Sequence, residues 1–201
     1  SMVANYTASR MPRGRDRLSP GDRPGLRPKR AVQIYVQKIR QLYREAGVVI
    51  GGIEASLRRF VHYDFWEDRL RDPILIDAHA DLLVYGMAEA VLPKVVEWFR
   101  QRGGCTPAPA RIAQTCIRVK HESWREWLKE EYELLPSVET CRQSRPTFLE
   151  FSKQIDNSVR PGGKILIQQH PKGDIICYPP ERADFLAEAQ LMGTLNFNRR
   201  A

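Results

Sequence analysis

Apolar positions in this chain follow helical and strand-like patterns in turn. Over residues 31–46, Val32, Tyr35, Val36, Ile39, Leu42 and Tyr43 share one helical face, while Lys38, Arg40, Arg44 and Glu45 fall elsewhere. That pattern predicts an amphipathic helix, with Gly47 as its natural stop. The β-branched run Val48–Ile50 then predicts a short buried strand that opens into the turn Gly51-Gly52. Residues 54–72 mix charged and aromatic side chains; part reads as a short helix, ended by Asp72-Pro73. Asp81–Tyr85 predicts a second strand ending at Gly86. Ala88–Arg100 predicts a helix with Val91, Val95, Trp98 and Phe99 inward, kinked or restarted at Pro93 and closed by Gly103-Gly104. Residues 31–104 thus read as α-β-α-β-α, which fits a doubly wound, mainly parallel α/β sheet.

The second half is more mixed. Cys105–Ala110 reads as a loop and Thr115–Lys120 as a strand. Ser123–Leu135 reads as a helix, because Trp124, Trp127, Leu128, Tyr132 and Leu135 recur at near-helical spacing. Pro146–Ile155 suggests another helix. Lys164–Gln169 and Asp174–Tyr178 flank His170-Pro171-Lys172-Gly173, a hairpin signal. Glu181–Met192 is a last helix candidate, and no internal repeat is evident. The expected organisation is a basic arm over 1–30, a Rossmann-like α/β unit over 31–104 and a smaller α+β extension with a hairpin over 105–201.

Charge sharpens the first boundary. The 201 residues carry a net charge of +8. Residues 1–30 hold eight Lys or Arg against Asp16 and Asp22, which leaves about +2 for everything after them. A Pro/Gly/Arg-rich arm of this kind is flexible unless tied down. It reads either as a solvated or packing arm or as a phosphate contact to nucleic acid, although no aromatic-interleaved basic stripe supports base stacking. No apolar run approaches the length of a membrane span, and no signal peptide is visible, so a cytoplasmic bacterial protein is the expected setting. Cys105, Cys116, Cys141 and Cys177 lie 11, 25 and 36 residues apart with no CxxC, which predicts ordinary thiols rather than a zinc site or disulfide framework.

Three clusters carry candidate chemistry. At the Gly51-Gly52 turn, a helix beginning near Ser56 offers free N–H groups, and Glu54, Ser56, Arg58 and Arg59 lie within reach of a bound anion or an adjoining domain. The alternative is that the glycines only let strand and helix pack closely. His62, Tyr63, Asp64, Trp66, Glu67 and Asp68 bring acid, base and aromatic groups together. His62 and Asp64 suit proton transfer, a domain contact or a structural hydrogen-bond network. Glu89 in Gly86-Met87-Ala88-Glu89 suits the first turn of a helix. No Walker A loop, Gly-x-Gly-x-x-Gly or Gly-x-Ser-x-Gly elbow occurs.

Val48 through Phe60, followed by His62-Tyr63-Asp64-Phe65-Trp66, Asp68, Asp81–Gly86 and Glu89, resembles the amino-terminal region of the YgiQ-type radical SAM proteins, an uncharacterised bacterial family. Asn5-Tyr6-Thr7-Ala8, Ser19-Pro20-Gly21 and Arg27–Val32 fit the same pattern. The resemblance is strong from about residue 2 to residue 90 and looser to about 180. It implies a parent enzyme with a [4Fe–4S] cluster and SAM, held by a Cys-x-x-x-Cys-x-x-Cys motif that this chain lacks. The implied partner is the radical SAM barrel of the same parent. The segment itself is then an accessory domain without SAM cleavage or a cofactor of its own. The diglycine turn also resembles one that lies along the nucleotide tail in cobalamin-binding domains, which raises cobalamin as a ligand. Asp77-Ala78-His79 resembles a cobalamin histidine motif only by accident, since Leu82 replaces its glycine. A stand-alone module for a small nucleotide-like or cobalamin-like ligand, and an RNA-associated protein using the arm, are the alternatives.

Overall fold

In the structure, a computed structural model, residues 5–7, 9–101, 111–158 and 161–183 are described. Chain order begins with α1 (Ala31–Leu42), β1 (Val49–Ile50), α2 (Gly52–Leu57), β2 (His62–Asp64), β3 (Arg69–Arg71) and α3 (Ile74–Ala78). It continues through β4 (Leu82–Val84), α4 (Leu92–Arg100), β5 (Thr115–Val119), α5 (Trp124–Trp127) and β6 (Tyr132–Leu135). It closes with α6 (Val138–Gln143), α7 (Arg145–Ser158), β7 (Ile165–Gln168) and β8 (Asp174–Cys177).

Six strands form one α/β sheet in the order β1-β4-β5-β8-β7-β6, while β2 and β3 form a separate antiparallel hairpin. The sheet is mixed. β1 with β4 and β6 with β7 run parallel; the three pairings between them are antiparallel. The expected parallel arrangement therefore holds at the two ends of the sheet and not at its centre. For β7 and β8 the reason is local: they are joined by the short turn through Gly173, and a tight turn can only return the chain antiparallel. Gly173 has φ +125°, and a Cβ there would sit 2.6 Å from the Val119 carbonyl oxygen, so only glycine fits.

The central strands read as continuous apolar runs because helices cover both faces. One face carries Ile50, Leu83, Cys116, Leu166 and Ile175 under Val36 of α1, Ala55 of α2, α3, Val138 of α6 and Phe151 of α7. The other carries Leu82, Val84, Ile117, Ile167 and Ile176 under Val91 and Val95 at α4 and Trp124 of α5. Each wholly buried isoleucine or leucine contributes about 1.5–3 kcal/mol.

Three expectations change. The helix expected over Ser123–Leu135 is only the short α5; Leu128 turns to an extended backbone, and Tyr132–Leu135 becomes edge strand β6, paired with β7. Leu135 is buried and Tyr132 and Leu134 are exposed, an alternation that happens to coincide with helical spacing in the preceding residues. Helix α1 ends at Leu42 rather than near Gly47. Of its apolar face, Val36 is buried and Val32 partly so, whereas Tyr35, Ile39, Leu42 and Tyr43 are exposed. Helix α4 begins at Leu92, with Pro93 in its first turn. The helix expected over 181–192 and the glycines at 103 and 104 lie at or outside the described residues.

The basic arm is folded against the rest. Asp16, nearly buried, accepts two hydrogen bonds from Arg27 at 2.6 and 2.7 Å and one from Ser19. These contacts, Arg27 foremost, hold its carboxyl down at about 2. Arg10 stacks over Phe65, and Tyr6 meets the Trp66 ring at 4.3 Å. Arg30 bridges Asp64 and Glu67.

Candidate functional site

β1 and β4 run parallel, so their carboxyl ends open at one place, as ligand sites in α/β sheets do. Gly51 is extended and packs with its Cα side toward the Val84 carbonyl; a Cβ would lie 3.3 Å from that oxygen. Gly52 takes φ +78° and begins α2 itself, one turn earlier than the expected start at Ser56. That shift reorients the candidates. The Ser56 hydroxyl accepts from the Gly86 N–H at 3.1 Å, tying α2 to the end of β4. Arg58 pairs with Glu54 across one helical turn at 2.9 Å. Arg59 donates to the Ser56 carbonyl and lies over the Tyr85 ring, 5.0 Å from its centroid, with its Nε buried and unbonded. Glu89 is exposed in the turn before α4 rather than within its first turn. Ile53, Leu57 and Met87 are exposed at this same end.

The His62–Asp68 cluster forms the hairpin β2–β3 and its turn. Asp64 is buried; it accepts from the Trp66 and Glu67 N–H groups and from Arg30 at 2.9 Å. Burial alone would raise its carboxyl, but these donors and Arg30 hold it below the usual range. Tyr63 donates to Asp68. His62 approaches the Phe60 carbonyl at 3.2 Å through Nδ1, and its Nε2 is buried without a partner. Burial pushes its pKa down to about 4. His62 is thus a neutral imidazole near pH 7, and Asp64 serves the turn rather than a proton relay to it.

Sequence reasoning missed three buried constellations because each joins distant segments. Asp174, wholly buried, accepts from His121 Nδ1 (2.8 Å), the His170 N–H (3.0 Å), the Glu122 N–H (2.8 Å) and Trp124 Nε1 (2.8 Å). Buried His170 meets Asp72 at 3.0 Å through Nε2 while its Nδ1 accepts from the Lys172 N–H, which fixes the tautomer; Arg142 adds a 2.7 Å bond to the same carboxylate. Cys116 and Cys177 are direct cross-strand partners with Sγ atoms 2.6 Å apart and both thiols free. An isolated aspartate or histidine in a turn gives no sequence signal of this kind. Alternating apolar neighbours place Cys116 and Cys177 on one face, but only the strand register pairs them.

Known proteins add a frame to this geometry. The family model described as Radical SAM N-terminal matches residues 1–201. The chain belongs to the Radical SAM N-terminal family. A UPF0313 protein of Methanocella arvoryzae is 39% identical over 202 residues, 99% of this chain and 33% of that protein. A UPF0313 protein of Clostridium perfringens is 40% identical over 181 residues, 90% of this chain and 27% of the relative. One of Geobacter sulfurreducens is 38% identical, covering 99% and 32%. The resemblance to YgiQ-type proteins, strong over about residues 2–90 and looser to about 180 in the sequence, thus extends over the whole chain. This Radical SAM N-terminal chain spans about a third or less of the length of the curated relatives it matches. No solved structure matches it. Among the described residues no helix is long and apolar enough to cross a membrane, and no three His, Cys, Asp or Glu side chains group as metal ligands.

Proposed function

We propose that this chain is the amino-terminal accessory region of a radical SAM iron–sulfur enzyme, and that it shapes or covers the substrate and cofactor site of the parent without cleaving SAM itself. The observation that supports this best is the uncovered apolar end of the parallel β1–β4 pair. Ile53 is 80% and Leu57 73% exposed, side by side with the diglycine turn and Met87. Large apolar side chains clustered at the ligand-bearing end of a sheet mark an interaction surface. The greater part of a relative's length lies beyond what this chain matches, and the radical SAM domain there is the natural occupant. The described residues do not fit a [4Fe–4S] cluster, which needs three convergent thiolates. In this reading the parent's further length supplies them, together with the open iron site for SAM.

Arg58 is held by Glu54, and Arg59 folds back onto the Ser56 carbonyl and the Tyr85 ring with its Nε buried and unbonded, which supports a domain-contact role over a phosphate or cobalamin site at this turn. The test is a side-by-side preparation of the full parent and of residues 1–201 under reducing, anaerobic conditions. The expected result is iron binding and SAM cleavage by the parent and neither by residues 1–201. A parent that takes up no iron, or SAM cleavage by residues 1–201, refutes the reading.

A further inference from the structure

A groove of about 580 Å³ lies between the β2–β3 hairpin and the α6–α7 helices, and none of its lining residues belongs to β1, α2 or β4. Its volume falls inside the roughly 300–1,000 Å³ range of small-ligand sites. Its floor is apolar: Leu70 and Phe148 pack on the core, and Leu149 is exposed above them. Its rim is cationic. Arg69 and Arg142 are ion-paired to Glu67 and Asp72. Arg145 is exposed and has no hydrogen-bond or ion-pair partner among the described residues. The single carboxylate in the lining, Asp68, already accepts the Tyr63 hydroxyl. Arg145 also opens α7, whose dipole adds positive potential on the same side. With Arg69 and Arg142 neutralised by Glu67 and Asp72, the Arg145 guanidinium is the cation left to a ligand, and over an apolar floor it complements a negative head with an apolar body.

We infer that this groove binds a small organic anion of that class, with a carboxylate, sulfonate or phosphate set against Arg145 and an aromatic or aliphatic body over Phe148 and Leu149. An acidic peptide offers the charge without a compact apolar body, and a free inorganic anion offers it without any; both are distinguishable by competition. The site is independent of how the β1–β4 end docks, so its failure leaves the accessory-region reading untouched.

The probe is 8-anilinonaphthalene-1-sulfonate, titrated into the 201-residue chain by fluorescence, with circular dichroism confirming each variant's fold. One saturable site is expected. Arg145→Glu weakens it at least tenfold, Arg145→Lys less, and Leu149→Ala several-fold, while Leu42→Ala on α1 leaves it unchanged. Decanoate displaces the probe, and inorganic phosphate at the same concentration does not. Equal binding by wild type and both Arg145→Glu and Leu149→Ala overturns the assignment. So does displacement by phosphate as effectively as by decanoate, or by an acidic heptapeptide but not by decanoate.

Discussion

Replacing Asp174 with alanine removes the acceptor for four donors at once. Two of them, the His170 N–H and Trp124 Nε1, are buried and the Glu122 N–H partly so, whereas His121 is half exposed and regains water. Each stranded buried donor costs about 1–3 kcal/mol, and such costs do not add fully. Hydrogen bonds to a charged acceptor are worth about 1.5–3 kcal/mol each. We expect a loss of about 4 kcal/mol, roughly a thousandfold in the folding equilibrium. With a urea dependence near 2 kcal/mol per molar, the midpoint falls by about 2 M. Asp174→Asn, which keeps the shape and one acceptor oxygen, loses about half as much. The assay is urea unfolding at pH 7, followed by tryptophan fluorescence. A midpoint for Asp174→Ala within about 0.5 M of wild type, at unchanged slope, refutes the argument that this carboxylate anchors the β8 end of the sheet.

His62 gives a pH prediction. Its pKa is depressed to about 4 by burial, so the unfolded chain takes up a proton first as pH falls. Stability declines between about pH 6.5 and 4, by roughly 3 kcal/mol in full, and His62→Gln flattens that part of the profile; identical wild-type and variant profiles in a denaturation series refute it. Gly173→Ala forces a Cβ against the Val119 carbonyl at positive φ and lowers stability by about 2 kcal/mol or more, read as a calorimetric shift; an unchanged Tm contradicts the turn geometry. Arg27→Ala frees Asp16 and loosens the arm, so trypsin cleaves between residues 10 and 23 faster than in wild type while the sheet survives; equal cleavage rates mean that Arg27 does not hold the arm. The Asp16 carboxyl, down at about 2, keeps its contribution above the ordinary carboxylate range and loses it only as pH falls toward 2.

The strands were legible where short apolar, β-branched runs are bounded by turn residues: Val49–Ile50, Leu82–Val84, Thr115–Val119 and the two arms of the Ile165–Cys177 hairpin. Sheet order was not, because the antiparallel docking of β5 against β4 and β8 depends on contacts across 30 to 60 residues. The β2–β3 hairpin was missed for a different reason. Its strands are charged, and ion pairs to other segments, Arg30 with Asp64 and Arg71 with Asp77 of α3, hold it. Of the candidate site, Gly51, Gly52, Ser56 and the end of β4 do converge. Arg58 and Arg59 follow the turn in sequence, and their side chains fold back onto α2 and Tyr85, which spacing alone cannot show. His62, Tyr63 and Asp64 occupy one strand, yet alternation and the Arg30 contact give them separate partners.

The most direct test of the accessory-region account is hydroxyl-radical footprinting of Leu57 and Met87, compared between residues 1–201 alone and the full parent. The account predicts at least a fivefold slower oxidation of both side chains in the parent, because the rest of the chain covers the β1–β4 end, with exposed Leu18 on the arm unchanged as the reference. Equal oxidation rates at Leu57 and Met87 in the two proteins would contradict it.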